Sequence, residues 1–326
     1  MDELKVKTAP LQTVEHPILR EADVCLDVLR LDLIHPLIHG NKWFKLKHNL
    51  DHIQSSGIKR VLSFGGAWSN HLYALAAAGK QLGLHTIGVV RGETPEPLNP
   101  VLEFARQQGM HLYPISRDEY RHKTEPDFIE SLHQQLGGFY LLPEGGSNEL
   151  AVRGCEEIAE IISASGWKGW DGSAGVTNNS DCIGKSNGRN CIALACGTGT
   201  TMAGVVSGLG RMEDEVACAE VLGFSILKGE GYLRSEVANQ LEAAAVVSPV
   251  QWQMLEEYHC GGYAKINSSL KQFLESFPDY SDIPLEPVYT GKLFYGIFDM
   301  LNRSCFPAGS HILAIHTGGI VEKLQV

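Results

Sequence analysis

Five short segments combine residue types that can do chemistry. In Gly40-Asn41-Lys42-Trp43-Phe44-Lys45 a lysine stands beside Gly and Asn on the turn before an amphipathic helix. A buried lysine amine sheds its proton readily and becomes nucleophilic, as a Schiff-base lysine must. A basic first turn on a surface helix reads the same way. Gly65-Gly66-Ala67-Trp68-Ser69-Asn70-His71 joins a strand to a helix, and N–H groups at a helix start suit a carboxylate or phosphate. Ser69 is equally a good N-cap.

Gly197-Thr198-Gly199-Thr200-Thr201-Met202-Ala203-Gly204 follows an apolar run and opens a helix. Glycines admit close backbone approach, while N–H groups, Thr hydroxyls and the helix dipole favour a dianion. The segment lacks the GK[ST] of a P-loop and the GxGxxG of a dinucleotide site, so it fits one phosphate monoester better than a pyrophosphate. Glu286-Pro287-Val288-Tyr289-Thr290-Gly291-Lys292 and His316-Thr317-Gly318-Gly319 each place a hydroxyl beside a glycine. Alone, either reads as a turn. Gly261-Gly262-Tyr263 is a weaker sixth segment.

The elements between these segments alternate. Strands are predicted over 60–64, 85–90, 111–115, 139–142, 191–196 and 311–315, and helices over 70–82, 100–108, 149–164 and 200–209. Such alternation implies βαβ units and a largely parallel sheet. Ligands in such folds sit beyond the carboxyl ends of the strands. Three of the predicted strands end there in glycine pairs, at 65–66, 197–199 and 318–319. Residues 166–190 break the rhythm, rich in Gly, Ser and Asn, and read as a flexible insertion.

Composition narrows the classes. The 326 residues carry a net charge of −11, with 27 basic against 38 acidic side chains. That balance argues against a nucleic-acid partner. No run of 18 apolar residues suggests a membrane partner, and the first residues lack a signal-peptide layout. The eight cysteines form no CxxC pair, so a reduced, cytoplasmic protein is expected. No HExxH motif suggests a metal site. Glycine, at 35 residues, exceeds the roughly 23 of average usage, which fits a crevice lined by glycine-opened loops.

Taken together, Asn41-Lys42, GG-x-x-Ser69-Asn70, the GTGTT loop, Pro-Val-Tyr289-Thr290-Gly-Lys292 and His-Thr-Gly-Gly, in this order, resemble one family. It is the pyridoxal-phosphate enzymes of fold type II, in the 1-aminocyclopropane-1-carboxylate deaminase / D-cysteine desulfhydrase group. The resemblance runs from about residue 10 to the end. It implies pyridoxal 5'-phosphate as cofactor and an α/β fold of two three-layer α/β/α domains with mostly parallel sheets. Residues 1–45 and 149–326 would form the large domain and 46–148 the small one. A homodimer is expected.

By the same resemblance, Lys42 would hold the cofactor and move the Cα proton of a small amino-acid substrate. Asn70 would bond the cofactor's 3-oxygen, and Ser69, Asn70 and His71 the substrate carboxylate. Gly197, Thr198, Gly199, Thr200 and Thr201 would cradle the phosphate. Tyr289 would donate a proton or orient the substrate, with Tyr263 as a second tyrosine. Thr290 or Thr317 would meet the pyridine nitrogen. The deaminase branch carries glutamate where this chain has Thr290, and glutamine where it has His71. A hydroxyl leaves the pyridine largely neutral and a weaker electron sink. Expelling a thiolate needs less of a sink than opening a cyclopropane, so D-cysteine desulfhydrase is the expected activity. Rival readings are the deaminase itself, a non-catalytic small-ligand binding protein on this fold, and a nucleotide-binding Rossmann enzyme.

Overall fold

The computed structural model describes residues 7–94, 96–169, 188–212, 219–245 and 250–319. The predicted insertion at 166–190 lies mostly outside them. Among these residues ten strands form two sheets: β1 (Leu11–Thr13), β2 (Val24–Leu29), β3 (Arg60–Gly65), β4 (His85–Arg91), β5 (His111–Ile115), β6 (Tyr140–Leu142), β7 (Asn190–Cys196), β8 (Glu220–Ser225), β9 (Trp252–Leu255) and β10 (Ser310–Ile315). The larger sheet has the order β1-β2-β10-β7-β8-β9 and the smaller β5-β4-β3-β6. All pairs are parallel except β1 with β2.

Helices cover both faces of the larger sheet, and β7 shows why. Its Cys191, Ala193 and Ala195 pack with Leu293, Phe294 and Ile297 of the helix Thr290–Asn302. Its Ile192, Leu194 and Cys196 face the opposite way, with Ile158 and Ile162 of Glu149–Ala164 and Val205 of Thr200–Leu209. A strand that is apolar on both faces belongs at the centre of a doubly covered parallel sheet. The smaller sheet repeats the pattern. Leu62 and Phe64 pack with Leu132 of Pro126–Leu136, while Val61 and Val90 pack with Leu72 and Leu75 of Asn70–Leu82.

One apolar core runs beneath both sheets, through Trp43, Phe44, Leu46 and Leu50 of the helix Asn41–Ser55. The division expected after residue 45 falls within this helix. Strands β1, β2, β8 and β9 are not among those predicted. Cys25 on β2 is disulfide-bonded, which corrects the expectation of reduced thiols throughout. The other described cysteines are free. Among the described residues no helix is long and apolar enough to cross a membrane.

Candidate functional site

The strand ends open into a cavity of about 200 Å³ between the two sheets. The helix Asn41–Ser55 starts at its wall. Gly40 precedes that helix at φ 66°, where L side chains rarely sit. A Cβ there would lie 1.9 Å from the Thr317 carbonyl oxygen. That oxygen accepts the Asn41 N–H at 3.1 Å, so the glycine lets the helix start dock on the loop after β10.

Docking sends Lys42 into the cavity, where its Nζ donates to Asn41 Oδ1 at 2.8 Å. Asn41 Nδ2 in turn donates to Thr201 Oγ1 at 2.8 Å. Burial, and then the neighbouring Lys45 ammonium, lower the Lys42 amine to about 7. Lys45 follows three residues on, hence on the same helix face. Its Nζ donates to Thr198 Oγ1 at 3.0 Å and to the Gly145 carbonyl at 3.3 Å. Burial lowers Lys45 to about 8.

Across the cavity, β7 turns through Gly197 and Thr198 into the helix Thr200–Leu209. Its N-cap is Gly199 at φ 75°, with no side-chain cap. A Cβ there would meet Val237 Cγ2 at 2.7 Å. The first N–H groups of the helix therefore remain available to an anion. Thr198 and Thr201 line the cavity. Thr200 does not: it is fully buried, with its Oγ1 2.6 Å from Ser147 Oγ and 3.1 Å from Thr198 Oγ1. Its hydroxyl is taken up by those two neighbours, so what Thr200 can offer the cavity is its backbone N–H.

Ser69, Asn70 and His71 also line the cavity. Ser69 is the N-cap of Asn70–Leu82, accepting from Leu72 N at 3.2 Å. Its capping and site readings are thus compatible. His71 is buried, its Nε2 is 2.9 Å from Ser63 Oγ, and its Nδ1 has no partner. Burial and the two lysines hold it well below the usual imidazole range, so it is neutral.

Tyr263 and Tyr289 meet edge to face with ring centroids 6.3 Å apart, and both line the cavity. Burial raises both phenols above their ordinary range, reinforced at Tyr289 by Tyr263 and Glu286 and partly offset at Tyr263 by its hydrogen bond with Tyr289, so both keep their protons. Of the two threonines proposed for the pyridine nitrogen, Thr317 lines the cavity and Thr290 does not. Thr290 Oγ1 accepts the Glu286 N–H at 3.0 Å. The Glu286 carboxylate in turn accepts from the N–H groups of Val288, Tyr289 and Thr290 at 2.7, 2.7 and 2.8 Å. Thr290 is consumed in starting a helix, which corrects its expected contact with a ligand.

Lys45, Asn41, Arg91 and Glu144 line the cavity too and were not foreseen. Spacing from Lys42 would have found Lys45. Arg91 ends β4 at the carboxyl edge where ligands gather. No His/Cys/Asp/Glu cluster among the described residues could hold a metal ion.

Residues 15–318 match the family described as "Pyridoxal-phosphate dependent enzyme". A relative from Pyrococcus horikoshii, named "Putative 1-aminocyclopropane-1-carboxylate deaminase", is 28% identical over 95% of this chain and 89% of its own. One of the same name from Thermotoga maritima is 27% identical over 98% and 96%. A solved structure described as an ACC deaminase homologue is 26% identical, with TM-score 0.78, covering 98% of this chain and 92% of that one.

Proposed function

Because this chain belongs to the family of pyridoxal-phosphate dependent enzymes, we propose that it is an amino-acid lyase releasing a keto acid and ammonia, with D-cysteine as substrate. The residues present fit the cofactor. A lysine with a depressed pKa faces the cavity. Opposite it stand an uncapped helix start and two threonine hydroxyls, and the Lys45 ammonium reaches Thr198 from Lys42's own helix, a donor set suited to a phosphate dianion. When bound, the cofactor supplies an electron sink for negative charge developing at the substrate Cα.

Each side chain then has a task. Lys42, largely neutral above pH 7, would hold the cofactor and would take the Cα proton on Nζ. Gly197 to Thr201 and Lys45 hold the phosphate. Ser69 and Asn70, with the backbone N–H of His71 in the first turn, receive the substrate carboxylate at the helix start. Tyr289 offers its phenolic proton to the departing group, with Tyr263 beside it. Thr317 supplies the hydroxyl for the pyridine nitrogen.

The observation carrying D-cysteine over the cyclopropane acid is Thr317 at that wall, together with the commitment of the nearby Glu286 carboxylate to three backbone N–H groups. A hydroxyl partner suits elimination of a good leaving group. The names of the relatives favour a second reading, 1-aminocyclopropane-1-carboxylate deaminase. The purified yellow protein is offered each substrate while keto acid is followed. Pyruvate and sulfide from D-cysteine are expected. Turnover of the cyclopropane acid alone overturns the choice, and a protein that takes up no pyridoxal phosphate overturns the enzyme reading. A homodimer is part of the proposal, its mass open to light scattering.

A further inference from the structure

Next to the inner cavity lies an outer one of about 1000 Å³, and Gly66, Arg91, Glu144 and Tyr263 line both. Its wall is cationic on an otherwise acidic protein. Arg91, Arg117, Arg121, Lys123 and Lys265 face it, against the carboxylates of Glu93 and Glu144. Glu144 is already engaged, accepting from Tyr120 Oη at 2.8 Å and lying 3.5 Å from Lys123 Nζ. Arg121 pairs with Asp118 at 2.9 Å. Arg91, Arg117 and Lys265 have no carboxylate partner among the described residues.

Arg91 is singled out by its mounting. Its guanidinium carbon lies 5.6 Å from the Tyr120 ring centroid and 5.8 Å from that of Tyr263. Two aromatic faces thus orient it without neutralising it. It stands at the junction of the two cavities, on the Tyr263 side and within the wall that also carries Ser69 and Asn70. A zwitterionic amino acid has no net charge and needs no cationic approach. A substrate with a further negative charge does, because the net charge of −11 repels it elsewhere.

We infer that Arg91 is a specificity-determining residue that receives a second anionic group, carried on the substrate's side chain. The inference rests on the amino-acid lyase reading above and deepens it. D-cysteine is then the smallest substrate, and the class extends to β-substituted alanines whose substituent is a phosphate or another oxyanion. In the elimination the Cα–H bond breaks and the proton goes to Lys42. That electron pair forms the Cα–Cβ double bond, and the substituent leaves Cβ with its own bonding pair. Water then releases ammonia and pyruvate.

The test compares aspartate with asparagine, which differ in charge but hardly in shape, in both enantiomers. Their binding to the holoenzyme is read from the cofactor absorbance. Aspartate is expected to bind about tenfold more tightly, the scale of one charge-assisted bond, and the advantage should shrink between 0.05 and 0.5 M salt, ranges over which screening lengths shorten severalfold. Arg91→Gln should bring the ratio to about one, and Arg91→Lys should restore part of it. A native ratio near one, or a ratio unchanged in Arg91→Gln, overturns the inference while leaving the lyase reading intact. If neither amino acid perturbs the absorbance and D-cysteine is inert, both readings fall together.

Discussion

The Ser63 hydroxyl lies 2.9 Å from Nε2 of His71 and 3.3 Å from the Pro143 carbonyl oxygen. A hydroxyl has one proton, and a carbonyl can only accept. Ser63 therefore donates to Pro143 and accepts from Nε2–H. That assignment leaves Nδ1 of the neutral His71 as a bare acceptor, and Nδ1 is the atom without a partner in the protein. His71 lines the cavity, and a buried acceptor on such a residue is suited to a donor on a ligand.

Ser63→Ala removes the acceptor for Nε2–H. The stranded proton costs about 1–3 kcal/mol in a dry site, or migrates to Nδ1 and abolishes the acceptor. Unfolding free energy should fall by about that amount, and kcat/KM by roughly tenfold. Nitrogen NMR of His71 should show Nε2–H in the native protein and a mixture in the variant. A variant that keeps one Nε2–H tautomer and full kcat/KM would contradict this assignment.

Lys42, lowered to about 7, should react with aldehydes at a rate that rises with pH and levels off above about 7. An ordinary lysine amine would keep gaining until beyond pH 10. The probe is pyridoxal, which lacks the phosphate and so leaves phosphate binding out of the comparison. Lys45→Met removes one of the charges that depress Lys42, so the midpoint should move to higher pH. Lys42→Ala should abolish both colour and turnover. A rate still climbing tenfold per pH unit through pH 9 would defeat the assignment.

Much of this site is legible in the chain because its parts are local. Ser69 caps the helix it precedes, Gly199 opens another, and β7 is apolar on both faces. What escapes local reading depends on contacts distant in sequence. Thr290 and Thr317 look alike as hydroxyls beside glycines. Only the turn around Glu286, which takes up the Thr290 N–H and hydroxyl, separates them. Arg91 gains its place from Tyr120 and Tyr263, and no spacing rule joins those three. Strand β8 escapes for another reason. Its Gly223 weakens the β signal, yet a Cβ there would lie 2.4 Å from Met202 Sδ, so the core demands the glycine.

Gly40 and Gly57 offer a contrast. Their φ values are 66° and 67°, so alanine is strained at both, and the ψ of −152° at Gly40 adds to the strain there because that combination is essentially confined to glycine. Only at Gly40 does the new Cβ strike main chain, the Thr317 carbonyl, and at Gly57 nothing lies within 4 Å. Gly57→Ala should therefore lose about 1 kcal/mol in denaturant unfolding. Gly40→Ala should lose roughly 3 kcal/mol or more, and should also weaken cofactor binding because the Asn41–Thr317 junction opens. Equal losses at the two sites would show that the clash does not govern this junction.

Lys292 is fully buried, and its Nζ donates to the Gly262 carbonyl at 2.7 Å. Gly262 precedes Tyr263, so the lysine is a positioning residue for that ring. Burial lowers its amine to about 8, below the ordinary 10.4 or so of an unfolded chain. Between those values the unfolded chain binds the proton and the folded one does not, so this group makes stability rise with pH. Lys292→Met removes that slope. Buried thiols such as Cys155 and Cys196, raised to about 11 and 12, pull stability down above pH 9, but they are common to both proteins and cancel in the difference. Native minus variant unfolding free energy should therefore increase from pH 7 to pH 10. At pH 7 the two should be nearly equal in stability, since the lost bond is offset by the lost burden of a buried charge. Turnover should still fall severalfold as Tyr263 loosens, and a stability difference that is flat or falling with pH would refute the assignment.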